Sequence, residues 1–458
     1  MTIPFIEPFR IKVVEKVKMT TIAERRMALS KAHFNLFNIP SQDVFIDLLT
    51  DSGTNAMSAE QWAAMMRGDE SYAGAKSYYH LEEAVREVMG FEYLLPTHQG
   101  RAAEGMLFSA LVKAGDFVPN NRHFDTTQAN LLVLGANPVD MTVPEADDSS
   151  IDLPFKGNMD LNKLDQFIRE TGPENIPLGM TTITNNSAAG QPVSMDNIRQ
   201  TAEIYHSYGI PFFLDACRFA ENAWFIKIRD AKYSDVPVRE IVREMCSYAD
   251  GCTMSAKKDA IVNMGGFVAF RDPALKQKIA QKLIVHEGFL TYGGLSGRDL
   301  EAIAVGMHEA VDEDYLNYRE SHTRYLGKVL KDAGLPVYLP TGGHAIYVDA
   351  GKALPHIPAN QFPAVALGNA LYVAGGVRTV EIGSLMFEHI DPQSGEDVLA
   401  PLELLRFAIP RRVYTRSHLD YIGESAAECM KKAEKIRGLR VKWAPPVLRH
   451  FMAELEEI

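Results

Sequence analysis

The run "ENIPLGMTTITNNSAAGQPVSMDNIRQTAEIYHSYGIPFFLDACRFAEN" constrains the fold of this chain more than any other stretch. Two apolar runs, at 178–184 and 210–214, flank a segment in which Ile198, Ala202, Ile204 and Tyr205 recur at helical spacing, which predicts a strand–helix–strand unit. Both strands read as near-continuous apolar runs and not as an alternation of apolar and polar residues. That pattern belongs to a parallel sheet covered by helices on both faces. Such sheets bind ligands beyond the carboxyl ends of their strands.

The stretch "YLLPTHQGRAAEGMLFSALVKAG" repeats the geometry. A short strand passes through Thr97, His98, Gln99, Gly100 and Arg101 into a helix whose Met106, Leu107, Ala110 and Leu111 share one face. A glycine-containing helix start exposes backbone N–H groups and the positive end of the helix dipole, a seat for phosphate.

At 458 residues and 46% hydrophobic content the chain outgrows a single core, and two lobes are expected. The spacing predicts an N-terminal arm over 1–45, a large domain over 46–315 and a small C-terminal domain over 316–458. One long helix over 297–333 would carry the chain between the lobes, and an amphipathic helix is expected over 419–436. The net charge of −12, with both signs interspersed, excludes a nucleic-acid or anionic-membrane surface, which would need a clustered basic face. The opening "MTIPFIEPFR" lacks the charged-then-apolar order of a secretory signal, and no apolar run is long enough to span a bilayer. These features predict a cytoplasmic protein acting on a small soluble substrate. Cys217, Cys246, Cys252 and Cys429 have no zinc-type spacing and read as reduced thiols.

The chemistry gathers in "CTMSAKKDAIVNMGGFVAF". Adjacent lysines are usually solvated, but Lys257 and Lys258 are flanked by small and apolar residues. Desolvation disfavours an ammonium, so at least one of the two is expected to be a nucleophilic amine able to form a Schiff base. Asp215 ends the apolar "IPFFLD", 43 residues before Lys258. It caps a helix, pairs with Arg218, or serves as counter-ion to a protonated pyridine nitrogen. Ser255 and Lys258 also fit the S-x-x-K of serine acyl-transfer enzymes, but that pattern's S-D-N and K-T-G partners are absent from the sequence. Arg411, after "LLRFAIP", could hold a carboxylate in a bidentate fork. Tyr72, beside Asp69 and Glu70, is a possible proton donor or a packing residue.

Together these residues resemble the β-eliminating lyases that use pyridoxal phosphate, whose branches are the tryptophan indole-lyases and the tyrosine phenol-lyases. The resemblance runs nearly end to end, through "EPFRIKVVE", "DVFIDLLTDSGT", "MMRGDESYAG", "PTHQGRAAE", "NSAAGQPVS", "MSAKKDA", "TYGGLSGRDLEA" and "IPRRVYT". It implies an α/β fold of the aspartate-aminotransferase-like type (fold type I), with a mainly parallel sheet in a large domain and a smaller α+β domain. It implies Lys258 as the Schiff-base lysine, with Lys257 as its modulator. Gln99, Gly100, Arg101 and Ser255 would form the phosphate cup, Phe124 the stacking ring, Asp215 the pyridine partner, and Asn186 and Arg218 the contacts to the cofactor oxygen. Arg411 would bind the substrate carboxylate. Tyr72 would donate a proton across a subunit interface of a homotetramer, and carbonyls of Gly53, Glu70 and Asn263 would hold potassium.

Three positions in the resemblance separate the branches. Asp125 stands where the phenol-lyases carry threonine, Ile382 where they carry an arginine, and His450 replaces an aromatic residue. All three favour tryptophan, cleaved to indole, pyruvate and ammonium, over a phenol-lyase, with a pyridoxal-phosphate aminotransferase as a further alternative. Ala189 and Leu290 depart from the family's usual glycine and proline, which bears on loop geometry.

Overall fold

The computed structural model describes residues 6–390 and 397–458, so the first five residues of the expected arm lie outside them. The chain separates into two compact units. The larger comprises Ser52–Ala146 and Leu153–Asn317; the other comprises Met1–Asp51, Asp147–Asp152 and Tyr318–Ile458.

The larger unit is organised by a five-stranded sheet of β1 (Tyr93–Thr97), β2 (Gly179–Thr182), β3 (Phe212–Asp215), β4 (Gly251–Ser255) and β5 (Gly266–Phe270), in spatial order β1-β5-β4-β3-β2. Strands β2, β3 and β4 run parallel, and β5 runs antiparallel to both its neighbours. β1 therefore points the same way as β2, β3 and β4. Successive side chains of a strand point to opposite faces, and both faces are buried here. Phe212, Leu214, Phe267 and Ala269 enter one apolar core with Ile198 and Tyr205. Their neighbours Phe213, Val268 and Phe270 enter a second core with Leu107 and Met180. Each fully buried side chain of this size contributes roughly 1.5–3 kcal/mol, so apolar residues dominate both faces, with buried polar residues such as Thr181, Thr253 and Asp215 interspersed. That is the physical origin of the near-continuous apolar runs.

The helices that matter for the site are α1 (Ala59–Met65), α2 (Gly100–Leu111), α3 (Asp125–Val133), α4 (Met195–Ser207), α5 (Phe219–Arg229), α6 (Gly297–Ala310), α7 (Glu313–Asp332) and α8 (Arg416–Met430). The expected single helix over 297–333 is two, α6 and α7. Asp312 breaks it: its Oδ1 accepts the backbone N–H of Tyr315 at 2.7 Å, starting a new helix as a capping aspartate does. The boundary between the units falls inside α7, after Asn317. The amphipathic run over 419–436 ends its helix at Met430, with Leu419, Ile422, Ala426 and Cys429 on the buried stripe.

The second unit holds a three-stranded antiparallel sheet of β6 (Ala345–Asp349), β7 (Val380–Ile382) and β8 (Leu404–Ala408), in order β7-β8-β6. Ile346, Val348, Leu405 and Phe407 form its core with Leu419 and Ile422 of α8. Residues Ile46–Asp47 pair in parallel with Val377–Arg378, and Arg378 Nε donates to Asp47 Oδ1 at 3.0 Å. All four cysteines are free thiols, and no helix among the described residues is long and apolar enough to cross a membrane.

Candidate functional site

Because β1, β2, β3 and β4 are aligned, their carboxyl ends share one edge of the sheet, and the predicted cofactor residues follow those ends. Gln99 and Gly100 come just after β1, Asn186 after β2, Arg218 after β3 and Lys258 after β4, while Asp215 and Ser255 are the last residues of β3 and β4. Sheet topology, not sequence proximity, gathers them.

At the β1–α2 turn, Gln99 is the N-cap of α2 and supplies no side-chain cap of its own. The helix start is left with backbone donors and a positive dipole end. A Cβ placed on Gly100 would lie 2.6 Å from Ser255 Cβ, so only glycine lets the helix start close onto the end of β4. Arg101 follows in the first turn. Donors, dipole and guanidinium together fit the phosphate of a pyridoxal cofactor.

Asp215 is buried and accepts the Cys217 N–H through Oδ1 at 3.3 Å, and Cys217 Sγ in turn accepts the Ser255 N–H at 3.2 Å. Burial raises the Cys217 thiol far above its usual range, which leaves it an inert spacer between the two strand ends. Arg218 is buried and is the N-cap of α5. Phe124 is the N-cap of α3, and Asp125, its first residue, is buried with Oδ1 accepting the Thr126 N–H at 2.6 Å. Of the two lysines, Lys257 has its amine lowered by burial, with the nearby charges of Lys258 and Arg101 adding to the effect. Both lysine side chains are half-buried.

Sequence reasoning missed Glu104. It lies one helical turn after Gly100, buried, with Oε1 accepting from Thr127 Oγ1 at 2.6 Å. Burial pushes its pKa up to about 8, and the charge of Asp215 adds to the rise. The only signal in the sequence is the spacing of four from Gly100, which places both residues on one helix face.

Tyr72 takes a different place. It is 70% exposed, packed against Phe289 and Tyr292 at ring-centroid distances of 5.7 and 5.3 Å. A hydrogen bond with Tyr292 raises its pKa. Of the expected cation ligands, Gly53 and Asn263 come together: Asn263 Nδ2 donates to the Gly53 carbonyl at 3.0 Å. The Glu70 side chain accepts from Arg298 Nε at 2.9 Å, a contact that does not involve its backbone carbonyl.

In the second unit Arg411 is completely buried and donates from Nη1 to Asp51 Oδ2 at 3.0 Å, an ion pair and not a surface residue. Ile382 ends β7 and is buried. His450 is buried between Phe37 and Phe451, beside a cavity of about 20 Å³ that Asn35, Val380, Glu381 and Leu405 also line. Such a space holds about one water.

Around Ile382 lies a carboxyl pair that the sequence did not announce. Glu381 Oε1 accepts the Leu385 N–H and Glu403 Oε1 the Ser384 N–H, both at 3.0 Å. A Cβ on Gly383 would meet Glu403 Oε2 at 2.7 Å and Glu381 Oε1 at 2.9 Å, so both carboxyls crowd this glycine. Burial, reinforced by the charge of Glu403, pushes Glu381 up to about 8; burial pushes Glu403 to about 7. A carboxyl held protonated in the folded chain but ionised when unfolded releases its proton on unfolding. Its stabilising contribution is complete below the ordinary value of 4.5 and is lost as pH rises through about 8. Glu381→Gln is therefore expected to flatten the decline of the unfolding free energy measured by urea titration between pH ~5.5 and ~7.5, by up to about 1.4 kcal/mol per pH unit. An identical pH profile for the variant would show that Glu381 is ionised in the fold.

Among solved structures, the chain resembles the serine palmitoyltransferase of Sphingomonas wittichii, with a TM-score of 0.60, 15% identity, and 91% of this chain and 97% of that one covered. The architecture is the aspartate-aminotransferase-like fold type I of pyridoxal-phosphate enzymes. Sequence comparison narrows the class. Residues 47–425 match the beta-eliminating lyase family model. A tryptophanase from Salinibacter ruber is 53% identical over 98% of this chain and 95% of its own length. A tyrosine phenol-lyase from Symbiobacterium is 50% identical over 99% of both chains. The chain belongs to the β-eliminating lyase family, pyridoxal-phosphate-dependent enzymes that break carbon–carbon bonds of small-molecule substrates.

Proposed function

We propose that this lyase acts in the cytoplasm on L-tryptophan, releasing indole, pyruvate and ammonium. The observation that carries the choice of tryptophan is Asp125, a buried carboxylate directly after Phe124 at the start of α3. A carboxylate can accept the indole N–H, which the threonine of the phenol-lyase pattern cannot do as an anion. Ile382, buried and apolar, supports the same choice, because a bicyclic ring gains by burial where a guanidinium would suit a phenol oxygen.

Pyridoxal phosphate, when bound, supplies the electron sink for the bonding pair left at Cα. The chain's residues do the rest. Gln99, Gly100, Arg101 and Ser255 would hold the phosphate, Phe124 would stack on the ring, and Asn186 and Arg218 would hold its oxygen. Asp215 would keep the ring nitrogen protonated. Lys258 would hold the cofactor and, as a free amine, would take the Cα proton as base. Arg411 binds the substrate carboxylate. An indole carbon leaves poorly unless protonated first, and Tyr72, Asp125 and His450 serve that transfer. Tyr72, exposed as it is, would act in a neighbouring subunit of a homotetramer. Potassium would sit on carbonyls of Gly53, Glu70 and Asn263.

Tryptophan and tyrosine supplied separately, with indole, phenol and pyruvate quantified, test the assignment. The expected result is kcat/KM at least ~100-fold higher for tryptophan, with no keto-acid acceptor required. A preference for tyrosine would assign the chain to the phenol branch. An absolute need for a keto acid would point to transamination instead.

A further inference from the structure

The turn that carries Lys258 is held from several sides. The Lys257 carbonyl accepts from the Gly53 N–H at 2.9 Å and from Asn55 Nδ2 at 2.7 Å. Gln61 of α1, fully buried, donates from Nε2 to the carbonyls of Ala260 and Ile261 at 3.1 and 3.4 Å. The Ile261 N–H closes the turn on the Lys258 carbonyl at 2.9 Å. Ile261 itself sits at φ 56°, a region that a β-branched residue enters only when its surroundings force it. A turn held under strain relaxes when a clamp is removed.

One clamp reaches a second functional residue. Asp259, next to Lys258 and 2% exposed, places Oδ2 at 2.8 Å from the Ala220 N–H and 3.1 Å from the Glu221 N–H. These are first-turn donors of α5, the helix whose N-cap is Arg218. The Asp259 N–H also donates to the Cys217 carbonyl at 3.4 Å. Residues on both sides of Arg218 are thus bonded to the residue beside Lys258. Arg218 supplies no side-chain cap to α5, so the helix takes its cap from the lysine turn.

We infer that Asp259 is a positioning residue: by capping α5 from outside the helix, its carboxylate locks the Lys258 turn to the segment bearing Arg218. The inference rests on Lys258 being the lysine that binds the cofactor. Lys258 would both hold the cofactor and move the Cα proton in every cycle. Its side chain moves while its backbone stays fixed, and the fixed backbone is what Asp259 maintains. A misplacement of about 1 Å at such a group costs on the order of 100-fold in rate.

The experiment uses pyridoxal-phosphate-loaded wild type, Asp259→Ala, Asp259→Asn and Asp259→Glu. Borohydride fixation followed by peptide mapping comes first, on wild type. Label absent from Lys258 overturns the lysine assignment itself, and this inference with it, before any variant is read. Three quantities are then followed: the pH midpoint of the lysine–cofactor chromophore, kcat, and KM. Asp259→Ala is expected to move the midpoint by about one pH unit and to lower kcat ~10–100-fold with KM within about threefold. Asp259→Asn keeps an oxygen that accepts the α5 N–H groups and is expected to recover most of both. A variant less resistant to urea but with wild-type midpoint and kcat would reduce Asp259 to a helix cap and overturn the inference. If the alanine chain does not fold, Asp259→Glu decides: the same charge set one methylene further out is expected to shift the midpoint, and wild-type behaviour would refute the positioning role.

Discussion

Lys258→Ala is expected to lower pyruvate release from tryptophan by at least ~1,000-fold while leaving the urea midpoint of the apoprotein close to wild type. General-base catalysis alone contributes on the order of 100- to 10,000-fold, and the variant also loses the covalent anchor. The structural cost is small for a stated reason. The Lys258 side chain is half-buried, and the hydrogen bonds that shape the turn use its backbone, which alanine retains. Substitutions of that kind usually stay within about 0.5 kcal/mol. Lys257 is poorly placed to take over. Its carbonyl is tied to Gly53 and Asn55, and its Cε would lie 2.7 Å from a Cβ built on Gly53, so its side chain packs against that residue. A small soluble amine should restore part of the turnover by replacing the missing base. Turnover within tenfold of wild type would show that another amine does the chemistry.

The sheet and its ligand edge could be read from the sequence because their causes are local. Phe212, Phe213 and Leu214 must all be apolar when alternate residues enter cores on opposite faces, and the run announces that. Glycine at position 100 and the helix pattern after it likewise express a close approach that no other residue permits. The choice of Lys258 over Lys257 was not physically legible, because both amines sit in the same apolar context. Only the likeness of "MSAKKDA" to a family pattern separated them. The break between α6 and α7 was missed because the apolar spacing continues across it; a single aspartate at 312 carries the information. Glu104, Glu381 and Glu403 were missed because burial of a carboxyl depends on tertiary neighbours far away in the chain. Glu381 and Glu403 meet only because β7 and β8 pair with Ile382 opposite Leu404.

Asp51→Ala is expected to cost the protein about 3–5 kcal/mol, the largest stability effect among these substitutions, because it takes a carboxylate partner from a guanidinium that water cannot reach. Arg411 is completely buried and Asp51 retains 2% of its side-chain exposure, so neither charge is screened, and the loss should be nearly independent of salt. Arg411→Ala is expected to be similarly costly, since it takes the guanidinium from the buried carboxylate instead. These two results alone do not separate a structural pair from a substrate-binding arginine that Asp51 holds in place. The double variant Asp51→Ala with Arg411→Met does. Replacing a buried pair by apolar side chains is often neutral or stabilising, so the double variant should recover most of the lost stability. If Arg411 reads the substrate carboxylate, the recovered protein should still turn over tryptophan at least ~100-fold less efficiently in kcat/KM, because the interaction lost is with the ligand. Wild-type kcat/KM in the double variant would confine Arg411 to the fold and leave the carboxylate to another cation.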